Sequence, residues 1–142
     1  MIGILVVTHG DFGRELIKSA ELIVGKQDNI KCIGLFHGDD IEKFKREVSN
    51  TIYSLDDGDG VLVFTDLFGA SPSNVVALSM KPVSKEVNFE CITGVNMPMI
   101  LEALTMRKSC KLKGLKEHSL NVGLGGIKDL YNELNMNKEN DI

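Results

Sequence analysis

From Ile2 to Val7 the chain is apolar without interruption and mostly β-branched, and the run stops abruptly at Thr8-His9-Gly10. A strand with one wet face would alternate apolar and polar residues. A continuous run instead predicts a strand buried on both faces, the signature of a parallel sheet covered by helices. A helical pattern begins near Phe12, so Thr8-His9-Gly10 reads as the loop from a central strand into a helix. Ligands of open α/β sheets bind outside the carboxyl ends of the strands, near the point where strand order reverses. His9 falls at such an end.

The same alternation continues for about a hundred residues. Phe12, Leu16, Ile17, Ala20, Ile23 and Val24 recur at helical spacing, with Asp11 as an expected N-cap and Gly25 as the stop. A second strand is predicted over Ile30–Phe36, ending in His37-Gly38. A helix follows over about Asp40–Ser54, burying Ile41, Phe44, Val48, Ile52 and Leu55. The stretch Asp56-Asp57-Gly58-Asp59-Gly60 is a turn by its glycines and acidic residues. Val61–Thr65 is a third apolar strand and ends at Asp66. Ser71-Pro72 then marks a helix start, serine as N-cap and proline at the first helical position, with the helix reaching about Met80. Glu86–Thr93 reads as a fourth strand, and Asn96 as the cap of a helix ending near Lys108. Alternating strands and helices predict an α/β fold: an open parallel sheet with helices on both faces. Beyond Lys108 the pattern weakens. Leu112–Val122 suits a helix, Ile127–Leu134 fits strand or helix equally, and Asn135–Ile142 is a polar tail. The expected division is one domain over residues 1–134 and a tail over 135–142.

Several classes of protein are disfavoured at once. The 142 residues suffice for one core, and a formal net charge of -4 gives no reason to expect nucleic acid or an anionic membrane as partner. The opening apolar run lacks a basic leader and is far shorter than a membrane span, so neither signal peptide nor anchor is expected. Cys32, Cys91 and Cys110 are widely spaced and form no CxxC pair, which reads as reduced, structural thiols in a cytoplasmic protein. No metal ligand set and no cofactor motif is found: GxxxxGK[ST] is absent, and no GxGxxG follows a strand.

What remains is a constellation at the strand ends. In a sheet of order 2-1-3-4 the first and third strands are neighbours, and the helices after them cover opposite faces. His9 and Asp66 then lie side by side. A carboxylate on one ring nitrogen fixes the imidazole tautomer and leaves the other nitrogen as a nucleophile. Two helix N-termini, after Gly10 and after Ser71, favour an anion at the same place, above all phosphate. Thr8, Gly10, Gly69 and Ser71 are the expected phosphate-binding residues. His37 reads as a loop residue and His118 as surface.

With those residues in view, the sequence resembles the IIA domains of the mannose family of the bacterial phosphoenolpyruvate-dependent sugar phosphotransferase system. The matching segments are Gly3-Ile-Leu-Val-Val-Thr-His-Gly10, Val61-Leu-Val-Phe-Thr-Asp-Leu-Phe-Gly-Ala-Ser-Pro-Ser-Asn74 and Gly94-Val-Asn-Met-Pro-Met99. The resemblance implies that His9 carries a phosphoryl group, that Asp66 orients it, and that Ser71 faces the phosphate. It also implies a phosphotransferase that receives phosphate from the carrier HPr and passes it to a IIB subunit, with only indirect membrane association through the permease. A homodimer is implied as well, exchanging an antiparallel edge strand drawn from about Ile127–Tyr131. Phe68 and Ala70 depart from the residues often found at those places in the family, without removing a chemical role. The chain is expected to act without an attached IIB domain.

A carrier that serves two partners needs an accessible histidine with an apolar rim, and Phe12, Phe68, Met97 and Met99 stand in the right loops, although each also suits a core. Two rival readings remain: the phosphoryl-transfer subunit of dihydroxyacetone kinase, and a signalling receiver domain phosphorylated on Asp66. The second would need an acidic pair at the end of the first strand to hold Mg²⁺, where Thr8 and His9 stand. A flavodoxin-like cofactor module fits poorly, because the loop after the first strand is short and lacks a run of hydroxyls.

Overall fold

The computed structural model describes residues 1–135. Ten elements follow in order: β1 (Gly3–His9), α1 (Phe12–Val24), β2 (Ile30–Leu35), α2 (Ile41–Leu55), β3 (Val61–Thr65), α3 (Ser71–Val83), β4 (Phe89–Thr93), α4 (Met97–Met106), α5 (Leu112–Gly125) and α6 (Leu130–Glu133). The four strands form one parallel sheet of order β2-β1-β3-β4.

The two most apolar runs became the two central strands. Ile4, Leu5, Val6 and Val7 are fully buried, as are Val61 to Phe64. Alternate side chains face opposite layers. Ile4, Val6, Leu62 and Phe64 pack against α1, α4 and α5, through Leu16, Ile17, Ile100, Ala103 and Leu115. Leu5, Val7, Val61 and Val63 pack against α2 and α3, through Phe44, Val48, Ile52, Val75 and Val76. Each layer removes large aliphatic side chains from water, at about 1.5–3 kcal/mol per fully buried residue.

Local signals set the ends of the elements. The Asp40 side chain accepts from the N–H groups of Glu42 and Lys43 and caps α2. Asn96 caps α4 by accepting from Met99, and its amide donates to the Gly123 carbonyl, tying the α4 start to the α5 end. Other expectations are corrected. Asp11 flanks α1 but makes no side-chain cap bond. Ile23 and Ile41 are exposed, Ile23 in the last turn of α1 and Ile41 at the first position of α2. Helix α3 continues past Met80 through Pro82 to Val83, and a turn over Ser84–Glu86 delays β4 until Phe89. The ambiguous segment 127–134 contains a short exposed helix, α6, and no fifth strand occurs among the described residues. Most of the polar tail, 136–142, lies outside the described residues.

One residue that the sequence pattern did not single out ties the far pole of the sheet together. Arg107, after α4, is only 2% exposed. Its guanidinium donates to the carbonyls of Ile2, Asp28 and Asn29 and to Gln27 Oε1. Burial draws its pKa below the ordinary arginine value, with nearby Asp28 opposing the shift.

Candidate active site

The site forms where β1 outruns β3. Val7 is in register with Thr65, the last residue of β3, but β1 continues through Thr8 to His9, which pairs on its other side with Leu35. The overhang sets His9 against Asp66, the first residue past β3. One carboxylate oxygen serves both groups of the histidine. Asp66 Oδ2 accepts the His9 backbone N–H at 2.9 Å and lies 2.7 Å from ring Nδ1. A carboxylate on Nδ1 favours the tautomer with its proton there, which leaves a lone pair on Nε2. Nε2 takes no hydrogen bond from the described residues, and the ring is 52% exposed while Asp66 is 12% exposed.

Burial pushes the Asp66 carboxyl pKa up, but the two bonds from His9 and the attraction of the ring outweigh it. The net result lies below the ordinary value of 3.8. The second carboxylate oxygen, Oδ1, is buried without a partner. Among the described residues, the carboxylate's hydrogen bonding is therefore directed wholly at His9.

The expected phosphate cradle needs correction. Thr8 is fully buried, and its hydroxyl accepts the Gly13 N–H at 2.9 Å and donates to the His9 carbonyl at 3.2 Å. It is a brace inside the loop. Gly10 takes the left-handed conformation (φ +53°), yet its N–H donates to the Leu35 carbonyl at 2.8 Å. Gly69 is also left-handed (φ +81°), and its N–H donates to Ser73 Oγ at 3.0 Å. Neither glycine has a spare donor for an anion. Ser71 is exposed and opens α3 itself, one place later than its expected position, so that Ala70 is the N-cap and no side chain caps the helix. The first-turn N–H groups of Ser71 and Ser73 have no backbone partner among the described residues, and they lie at the same edge of the sheet as His9.

Of the four residues expected at an apolar rim, three reach the surface. Phe12 is exposed, Phe68 is 85% exposed, and Met97 is half-buried. Met99 is 5% exposed and belongs to the core under α5, so it is removed from the rim. Leu67 and Phe36 are exposed in the loops after β3 and β2, at the same edge, and were not anticipated. The signal for Phe36 was its position directly after β2. His37 and His118 are exposed and bond to neither member of the pair. Burial pushes the Cys32 and Cys91 thiols up to about 11 and about 12, which keeps them protonated and inert at neutral pH. Among the described residues, no group of three or more His, Cys, Asp or Glu side chains could hold a metal ion.

An open parallel sheet carrying a half-exposed histidine and a carboxylate at its switch point defines a class of group-transfer domain. Residues 3–120 match the family EIIA-man, described as PTS system fructose IIA component, and the chain belongs to that family, the IIA components of sugar phosphotransferase systems. It is 38% identical over 106 residues to the mannose-specific EIIAB component of Escherichia coli, covering 75% of this chain and 32% of that protein. The chain thus spans about a third of that relative's length. The fructose-specific EIIA component of Bacillus subtilis is 29% identical over 115 residues, which cover 81% of this chain and 77% of that one. Among solved structures, EIIA from Streptococcus agalactiae superposes with a TM-score of 0.83 at 28% identity, over 93% of this chain and 99% of that one. No helix among the described residues is long and apolar enough to cross a membrane.

Proposed function

We propose that this chain is a cytoplasmic phosphoryl carrier that accepts phosphate from phospho-HPr on His9 and hands it to a IIB subunit during sugar uptake. The observation that carries this reading is the bond from His9 Nδ1 to the Asp66 carboxylate, which leaves Nε2 without a partner among the described residues on a half-exposed ring. In the transfer, the Nε2 lone pair attacks phosphorus on the donor's protonated phosphohistidine. The new P–N bond forms as the old one breaks, and the donor imidazole leaves neutral with the bonding pair. His9 keeps its Nδ1 proton and becomes a phosphoimidazolium, whose positive ring faces the Asp66 carboxylate. One phosphohistidine replaces another, so no other co-reactant is required.

Phe12, Leu67, Phe68 and Met97 supply apolar surface for docking, and both partners use it in turn. The exposed Ser71 hydroxyl and the first N–H groups of α3 face the incoming phosphoryl oxygens. A homodimer is part of the same reading, supported by the exposed apolar residues Leu124, in the last turn of α5, and Ile127, Leu130 and Leu134 beyond it. The receiver-like alternative, with phosphate on Asp66, fits less well, because that carboxylate is mostly buried and engaged by His9. Family membership favours the sugar system over its dihydroxyacetone kinase sibling.

The test is incubation with phosphoenolpyruvate, purified enzyme I and HPr, followed by mapping of the label. Acid-labile, base-stable label on His9, absent from His9→Ala, is expected. Label that survives acid, or that persists in His9→Ala, overturns the reading.

A further inference from the structure

The two loops that meet at the His9–Asp66 pair are closed by the same device. In the first, Thr8 Oγ1 accepts the Gly13 N–H and donates to the His9 carbonyl. In the second, Ser73 Oγ accepts the Gly69 N–H at 3.0 Å and donates to the Ala70 carbonyl at 3.0 Å. Each hydroxyl is buried, Ser73 to 7% exposure, and each uses its hydrogen and a lone pair within its own loop. Asn74 adds to the second clasp by donating from its side-chain amide to the Gly69 carbonyl at 3.1 Å. Both polar groups of the Gly69 peptide unit's glycine are therefore held by side chains from the first turn of α3.

This has a chemical consequence for the donors left over. Gly69 has a positive φ and no neighbour within 4 Å of a β-carbon position, so hydrogen bonds hold the turn: the side-chain bonds above and the Ala70 N–H donating to the Leu67 carbonyl at 3.3 Å. It is followed by Ala70, which offers no capping side chain, and by Ser71, whose hydroxyl has no partner among the described residues. Ser71 lies on the chain between Gly69 and Ser73, within the segment that these bonds span. We propose that Ser73 is a positioning residue for phosphoryl transfer: its hydroxyl clasp on Gly69 and Ala70 aims the start of α3 at the phosphoryl group on His9, without touching that group. This inference rests on the phosphocarrier reading above.

Ser73→Ala removes both hydroxyl bonds of the clasp, keeps the Asn74 bond to the Gly69 carbonyl, and leaves His9, Asp66 and Ser71 in the chain. Transfer from a saturating phosphorylated donor carrier, followed by rapid quench, should slow by roughly five- to tenfold, the scale of one hydrogen bond. The half-saturating donor concentration should stay within about twofold, because the rim is unchanged. The Gly69 amide should exchange faster with deuterium, and Ser73→Thr, which restores a hydroxyl, should recover the rate. If Ser73→Ala does not fold, the near-isosteric pair Ser73→Thr and Ser73→Val carries the same comparison. A Ser73→Ala rate equal to wild type overturns the inference, as does a defect confined to donor half-saturation. Equal defects in the hydroxyl-bearing and hydroxyl-free variants overturn it too. A wild-type chain that takes no label on His9 defeats the phosphocarrier reading and this inference together; a labelled wild type beside an unaffected Ser73→Ala defeats this inference alone.

Discussion

A β-carbon placed on Gly34 would lie 2.1 Å from the Gly10 carbonyl oxygen. Gly34 belongs to β2, and Gly10 is the residue after the histidine, so the missing side chain is what lets the His9 loop fold back over the neighbouring strand. The reverse bond, Gly10 N–H to the Leu35 carbonyl, holds it there. Gly34→Ala must displace the loop, and overpacking of this kind costs about 1–3 kcal/mol. A lowered melting temperature with a reduced labelling rate at His9 is expected, although residue 34 carries no functional group. An unchanged rate would show that the loop relaxes without moving the ring.

Asp66→Asn tests the partner of the ring. An amide nitrogen facing Nδ1 selects the wrong tautomer and cannot offset a positive imidazole. Phosphoryl transfer should fall by roughly a hundredfold or more while the fold persists. Near-wild-type transfer in rapid-quench assays would make the aspartate structural.

The same residue predicts a pH dependence of stability. The folded pKa of Asp66 lies below its ordinary 3.8, so its ionised form is favoured by folding. Its contribution is fully present above pH 3.8 and is lost as pH falls through the lower folded value. Urea melts of wild type and Asp66→Asn should therefore differ most near neutral pH and converge below that window. A gap that widens on acidification would contradict the sign.

Arg107→Met removes the clasp at the opposite pole. Four acceptors lose a charged donor, although the Asn29 carbonyl keeps the Ile4 N–H, and leaving a buried acceptor unpaired costs about 1–3 kcal/mol. The melting temperature should drop markedly, while the fraction that remains folded should label His9 at the normal rate. A site defect would mean that the two poles communicate through β1.

Phe68→Ser addresses docking. The side chain is too exposed to matter for the core, so stability should hold within about 0.5 kcal/mol. The half-saturating concentration of the phosphorylated donor should rise about tenfold or more if Phe68 is an anchor. An unchanged value would move the docking surface elsewhere on the rim.

The sheet was legible because burial on both faces leaves a direct mark. Residues 4–7 and 61–64 have no polar residue to turn outward, so strand type, parallel pairing and centrality follow together. The meeting of His9 with Asp66 followed from strand order alone. Hydrogen-bond assignment was not legible. Nothing in Gly10 or Gly69 announces that its N–H is already taken by Leu35 or Ser73, because those partners depend on loop paths. Met99 was misassigned because a methionine beside a loop suits rim and core equally until the position of α5 is known. Arg107 was invisible for a related reason: its four acceptors come from segments distant in sequence and carry no pattern of their own.

The commitment of the Gly10 and Gly69 N–H groups to the chain itself bears on what happens after transfer. A phosphoryl group on His9 would be left with Ser71 and the first N–H groups of α3 as its donors from these loops, on a ring open to solvent. The charge those donors do not meet would be carried by its own hydration shell. Such a site grips weakly and releases readily, and each hand-over amounts to trading one set of waters for another. For the phosphoryl carrier proposed above, whose task would end only when the group has left, shallow residence is the useful property.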